Sequence, residues 1–389
     1  MKSLMRPFLI DVSRLVGRLM KGRLPTGVDR VALAYVQKYG PRSQAFVRDG
    51  RFNVVLSEKL SQSLFHLLLN PPLDFKLHAW RLIALGAAAG IRSRDLSGSI
   101  FLNIGHSGLE YHRYPDFLRR MKVRPVFMVH DLIPITHPEF CRPGELEKHR
   151  IRMLTVLDLA RGVITNSQST LDALSAFAGT QGALLPASTA AFLSPPDLIS
   201  ASELRPADRP YFVVLGTIEP RKNHLLLLNV WKRMIEQMGD QVPLLVVIGQ
   251  RGWECENVVD LLERCESLHG HVLELSTCSD AKLATWLRNA QALLFPSFVE
   301  GFGLPLVEAL ACGTPVIASN LAVFREIAGD IPDYIDPLDG IGWITLIREY
   351  SIENSNRRTA QKSRMASYIA PTWDNHFKQV DALLEQVGR

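Results

Sequence analysis

Short apolar and β-branched runs recur along the chain, separated by stretches with helical spacing of apolar residues. In the first half, FLIDVS (8–13), NVVLS (53–57), IFLNIG (100–105), PVFMVHD (125–131) and GVITNS (162–167) predict strands. Stretches 27–38, 58–69 and 145–160 predict helices between them. In the second half the predicted strands are YFVVLG (211–216), PLLVVIG (243–249), HVLEL (271–275), ALLFPS (292–297) and TPVIAS (314–319). Each is followed by a helical pattern. Strands that are apolar throughout and alternate with helices point to parallel sheets covered on both faces.

The series is interrupted once. Segment 186–210 holds five prolines, many Ser and Ala residues and little periodicity, the composition of a linker. With 389 residues, 47% of them hydrophobic, the chain is long enough for two domains. The reading is an N-terminal domain over 1–190, a linker over 191–208 and a C-terminal domain over 209–365. A closing segment, 366–389, has Trp373, Phe377, Val380 and Leu383 on one helical face and is expected to pack back on the N-terminal domain.

Composition narrows the class. Five cysteines without a CxxC pair argue against a disulfide framework and structural zinc. No uninterrupted apolar run reaches membrane-spanning length, and the first residues lack the pattern of a secretory signal. A cytoplasmic location is expected, with a possible peripheral place at the inner face of the membrane. The net charge is +5, and residues 1–30, with seven basic residues and two acids, carry all of it. Segment 110–125 interleaves Arg113, Arg119, Arg120, Lys122 and Arg124 with Tyr111, Tyr114 and Phe117. It is expected either to dock on an anionic membrane or to be a helix with its aromatics in the core.

The densest chemistry lies in FPSFVEGFGLPLVEALACGTPVIAS (295–319). A strand ends at Phe295–Pro296, a loop carries Glu300, Gly301 and Gly303, and a helix starts at Leu304–Pro305 with Glu308 inside it. Glycines before a helix N-terminus expose amides to an anion, assisted by the helix dipole. Two acids flanking that cradle suit hydroxyl groups, and phosphate with hydroxyls on either side describes a nucleotide sugar. The same segment also reads as a tight strand–helix turn with two surface acids. Arg221 and Lys222 offer a forked donor and a compact ammonium at another strand–helix junction.

The run EGFGLPLVE followed by ACGTPVIAS resembles the E-x7-E region of family 4 retaining glycosyltransferases, the group 1 transferases of GT-B fold. VVLGTIEPRKNHLLLLNVW (213–231) is similar to their phosphate-binding strand–loop–helix. LLVVIGQRGWE (244–254), VHDLIPITHPEF (129–140) and VITNSQST (163–170) resemble further motifs, and DVSRL with PTGVDRV (25–31) resembles mannosyltransferase-like members. The resemblance implies an α/β chain of two Rossmann-like domains facing across a cleft.

It also implies roles. Glu300 would bind donor-sugar hydroxyls and act with His130 in catalysis. Arg221, Lys222, Gly27, Gly301, Phe302, Gly303 and Leu304 would bind the diphosphate, the last four by backbone amides. Glu308 would take the ribose, and Leu275, Ser276 and Cys278 would border the base. Asn103, Gly105 and His106 are assigned to the acceptor. Many members carry an Arg directly after the strand glycine; Thr217 stands there in this chain, which leaves the role of Arg221 open.

The resulting expectation is retaining transfer of a sugar, first mannose from GDP-mannose, to a saccharide or lipid-linked saccharide in bacterial surface polysaccharide synthesis. No metal, other cofactor or nucleic-acid partner is expected. The rivals are a nucleotide-sugar epimerase and a non-catalytic nucleotide-sugar-binding subunit. No strand is followed by GxGxxG, which argues against a dinucleotide oxidoreductase.

Overall fold

The computed structural model describes residues 8–23, 25–49, 52–88, 96–111, 113–196, 198 and 205–389. The basic residues Lys2 and Arg6 and most of 197–204 in the expected linker lie outside them. The chain forms two compact units. One contains 1–135, 144–193 and 373–389; the other contains 136–143 and 194–372.

The first unit is built on seven strands: β1 (Phe8–Asp11), β2 (Ser43–Asp49), β3 (Phe52–Val55), β4 (Ile100–Asn103), β5 (Arg124–Val129), β6 (Gly162–Thr165) and β7 (Ala187–Ala190). Their order is β3-β2-β1-β4-β5-β6-β7. All neighbours are parallel except β2 and β3, an antiparallel pair with Phe46 opposite Val55. This corrects the purely parallel reading, which also lacked β2. β7 lies within the bounds read for the N-terminal domain but in the 186–210 stretch of linker-like composition, and it pairs with β6 from Gly162–Ala187 to Thr165–Ala190.

Sequence signals set the helix starts. Thr26 and Asp29 form a reciprocal capping box before helix Gly27–Tyr39, with Thr26 N–H donating to Asp29 Oδ2 at 2.8 Å. Ser57 and Ser167 cap helices Glu58–Leu69 and Gln168–Thr180. The last helix, Trp373–Gly388, belongs to this unit. His376 Nδ1–H points at the carbonyls of Ala191 and Phe192, both at 3.1 Å, so Nε2 accepts from Tyr35 Oη at 2.8 Å. Phe377 packs edge-on against Tyr35 and Tyr39.

Segment 110–125 decides between its two readings. Helix Arg113–Met121 buries Tyr114 and Phe117 in the core with Phe46, Phe101 and Phe127. Arg119 pairs with Asp116 and Asp158, and Arg124 donates to the Val387 carbonyl at 2.6 Å. Tyr114 and Phe117 therefore cannot serve as an interfacial aromatic patch. In the basic N-terminal stretch, Arg14 and Arg18 are tied to the buried Asp29 at 2.9 and 2.7 Å.

The second unit has six strands, β8 (Tyr211–Leu215), β9 (Leu244–Ile248), β10 (Val272–Leu275), β11 (Leu293–Phe295), β12 (Val316–Ser319) and β13 (Asp333–Ile335). Their order is β10-β9-β8-β11-β12-β13, and every pairing is parallel. Trp231, Trp343 and Tyr350 fill the core on one side of this sheet. The order reverses direction between β8 and β11. Loops leaving the carboxyl ends of two such strands diverge and leave a crevice, the usual ligand position in open α/β sheets.

Candidate donor site at the strand reversal

The loop after β8 carries Arg221 and Lys222, and the loop after β11 carries Ser297 and Glu300. The strand order brings these loops together, and Phe298 N–H donates to the Arg221 carbonyl at 2.9 Å. Arg221 Nη1 lies 2.7 Å from Glu300 Oε2. Lys222 Nζ donates to the other carboxylate oxygen. Ser297 Oγ donates to that same oxygen at 2.8 Å. Lys222 also lies over the Phe295 ring, 5.1 Å from its centre. Glu219 holds Arg221 Nε at 2.7 Å and accepts from Trp253 Nε1 at 3.3 Å.

This cluster is almost buried, so its charges are weakly screened. Burial acts to raise the Glu300 carboxyl, but Arg221, Lys222 and the Lys222 and Ser297 hydrogen bonds hold it down at about 2. Burial and the neighbouring Arg221 lower the Lys222 ammonium, against the attraction of Glu300. Glu300 is therefore ionised at neutral pH, and its charge favours the ammonium form of Lys222.

The backbone around them is tightly constrained. Gly216 has φ of +143°, a value side chains rarely allow. Gly303, φ +115°, is the N-cap of helix Leu304–Ala311; a Cβ there would meet the Phe324 ring at 2.7 Å. Leu304 opens that helix, and Phe302 is buried beside it. Glu308 lies on the same helix and is buried. Leu275 ends β10, its carbonyl accepting from Gly249 N–H at 3.0 Å, with Ser276 exposed and Cys278 half-buried beyond it. Gly301, Phe302, Gly303, Leu304 and Glu308 are thus carried by one loop–helix element in the second unit.

Sequence reasoning missed several supports. Ser297 and Glu219 complete the charge cluster. Asn223, left-handed at φ +55°, donates to the carbonyls of Pro296 and Pro337. Phe140 stacks on Phe298, ring centres 5.0 Å apart and planes 4° apart. That contact lies in the second unit, since 136–143 crosses into it. Ser297, Glu219, Asn223, Phe140 and Phe298 all lie inside the quoted motifs, and their only sequence signal was that membership.

In the first unit, His130 follows β5 and is buried. Its Nε2 donates to the Ile104 carbonyl at 2.7 Å, which leaves Nδ1 as the basic nitrogen. Burial lowers its pKa, so the ring is neutral. His106, φ +56°, accepts the His130 amide at Nε2, 3.3 Å away. Gly105 gives room to Arg14, whose Cδ would lie 2.8 Å from a Cβ there. Asn103 departs from its expected acceptor role. It is buried, and its amide nitrogen is directed at Tyr114 Oη (2.8 Å), the Ser107 carbonyl (3.0 Å) and Asp11 Oδ2 (3.3 Å). Gly27 is the partly exposed first residue of its helix.

Residues 197–331, the stretch containing both halves of the charge cluster, match the family model described as glycosyl transferases group 1. This segment belongs to the glycosyl transferases group 1 family. Curated relatives are named as mannosyltransferases. The chain is 33% identical over 165 residues to O-antigen chain mannosyltransferase B of Escherichia coli, covering 42% of the chain and 43% of that relative. It is 30% identical over 230 residues to serotype-specific mannosyltransferase WbdA of Escherichia coli, covering 55% of the chain and 28% of that relative. The matched stretches thus span less than half of these relatives' lengths. A crystal structure of Anabaena HepE in complex with UDP and glucose superposes with TM-score 0.68 at 17% identity, covering 98% of both chains. At that identity the likeness establishes the fold, which is GT-B.

Proposed function

We propose that the protein is a retaining glycosyltransferase that moves a hexose, first mannose from GDP-mannose, to a saccharide or lipid-linked saccharide of a bacterial surface polysaccharide. The observation that carries the reading is the Arg221–Glu300–Lys222 cluster at the strand reversal of a group 1 segment. It offers two cations for a diphosphate and one carboxylate for sugar hydroxyls within a few ångströms. The names of the mannosyltransferase relatives support mannose over other hexoses.

In this reading the bond between the anomeric carbon and the diphosphate oxygen breaks while the acceptor oxygen bonds to the same face of that carbon. The acceptor proton passes to the departing phosphate oxygen. Arg221, Lys222 and the amides at the start of helix Leu304–Ala311 stabilise the growing negative charge. These groups serve in place of a metal ion. Glu308 accepts from the ribose hydroxyls, and the base lies by Leu275–Cys278. In the first unit, the neutral His130 offers Nδ1 to a sugar hydroxyl.

The test is incubation with GDP, UDP, ADP and dTDP sugars in the presence and absence of chelator. Transfer or slow hydrolysis of GDP-mannose, unchanged by chelator, is expected. Interconversion of the sugar would support an epimerase, and binding without either outcome a non-catalytic subunit.

A further inference from the structure

Helix Phe75–Ala88 holds Lys76 and Arg81 and no acidic residue. Its inner face is Phe75, Ala79, Ile83 and Gly86. A Cβ on Gly86 would lie 2.2 Å from Leu56 Cδ2, so this face is packed as closely as backbone allows. The other half of the circumference should then be polar, as on ordinary surface helices. Instead it presents Leu77 (60% exposed), Trp80 (46%) and Leu85 (58%) with Ala84, Ala87 and Ala88. Leu73, in the turn two residues before the helix, is fully exposed as well.

We propose that this face docks on an anionic lipid bilayer. Its composition selects that occupant. The only charges on the exposed half are the two cations, one at its edge and one beside Leu85. The nearest preceding acid in sequence, Asp74, is paired with His78 at 3.3 Å. Leucines and a tryptophan enter the headgroup–acyl boundary while lysine and arginine remain among anionic headgroups. The net charge of +5 adds long-range attraction. At about 1.5 Å per residue, the fourteen-residue helix is too short to cross the hydrocarbon core, so it lies along the surface. No helix among the described residues is long and apolar enough to cross a membrane. The docking element is thus not the 110–125 segment, whose Tyr114 and Phe117 belong to the core.

The experiment is co-sedimentation with vesicles of phosphatidylcholine, with or without phosphatidylglycerol, at low and high salt. The full chain should bind the anionic vesicles only and dissociate in salt. Leu77→Glu with Trp80→Glu, and separately Lys76→Glu with Arg81→Glu, should each lower the bound fraction by about tenfold or more. Melting temperature and the shift produced by GDP should remain at wild-type values, since none of these residues is placed in the donor site. Failure of the wild type to bind anionic vesicles would overturn the proposal, as would equal binding by the leucine–tryptophan variant. Self-association of the wild type that the same variant disperses, without vesicle binding, would assign the face to a second copy instead. None of these outcomes bears on donor binding, which the GDP shift reports separately.

Discussion

Arg221 Nη1 sits 2.7 Å from Glu300 Oε2, so groups proposed to hold the two ends of a donor already form an ion pair. Lys222 completes the grip on the same carboxylate. A bound diphosphate therefore competes with Glu300 for both cations. Glu300→Gln keeps the shape and removes the competing charge. Turnover should fall by about a hundredfold, while GDP binding is retained or tightened. Calorimetric titration with GDP beside a turnover assay checks this. A parallel loss of binding and turnover in a folded variant would contradict it.

Lys222→Ala removes a charge-assisted donor worth roughly 1.5–3 kcal/mol. GDP should bind about ten- to a hundredfold more weakly, and guanosine nearly as before. Equal losses for the two ligands would remove Lys222 from the diphosphate site.

Glu308 lies on the helix that Gly303 opens, separate from the cation pair in sequence. Glu308→Ala should weaken guanosine and GDP by similar factors, roughly tenfold for a lost hydrogen bond between a carboxylate and the ribose. 2′-Deoxyguanosine, which lacks one of those hydroxyls, should lose little further. A variant that discriminates ribose from deoxyribose as the wild type does would place the ribose elsewhere.

Acid should loosen both units through buried histidines. Burial lowers His376 to about 4, even though its carbonyl partners act the other way. Burial and Lys222 lower His224 to about 3. In the unfolded chain both titrate near 6.5, so the unfolded state binds more protons between those values. Their contribution to stability is complete above pH 6.5 and is lost as pH falls through 4 and then 3. Melting temperature should drop across that range. His376→Gln should melt lower at pH 7 and show a shallower acid slope; an unchanged slope would exclude His376 as the acid-sensitive anchor.

Much of the fold was legible because its strands are continuous apolar runs. The missed strands lack that signature. β2, SQAFVRD, buries Ser43 and Gln44; Ser43 Oγ donates to the Tyr39 carbonyl and Gln44 Nε2 to the Leu56 carbonyl. β7 is ASTA, with no large apolar side chain, and β13 has three residues. The candidate site was legible only in pieces. Residues 221 and 300 are 79 positions apart, and only the adjacency of β8 and β11 joins them. Asn103 misled because a polar residue at a strand end reads as ligand-facing, whereas its amide is directed at Asp11, Ser107 and Tyr114.

In the function proposed, this chain breaks a nucleotide–sugar bond with retention, using the Arg221–Glu300–Lys222 cluster. Proton NMR of GDP-mannose with the enzyme and a mannose-terminated acceptor follows the anomeric signal directly. Release of GDP and a new α-mannosyl signal are expected, with both strongly reduced in Glu300→Gln. A β-linked product, a changed hexose still attached to GDP, or unaltered GDP-mannose despite tight binding would contradict it.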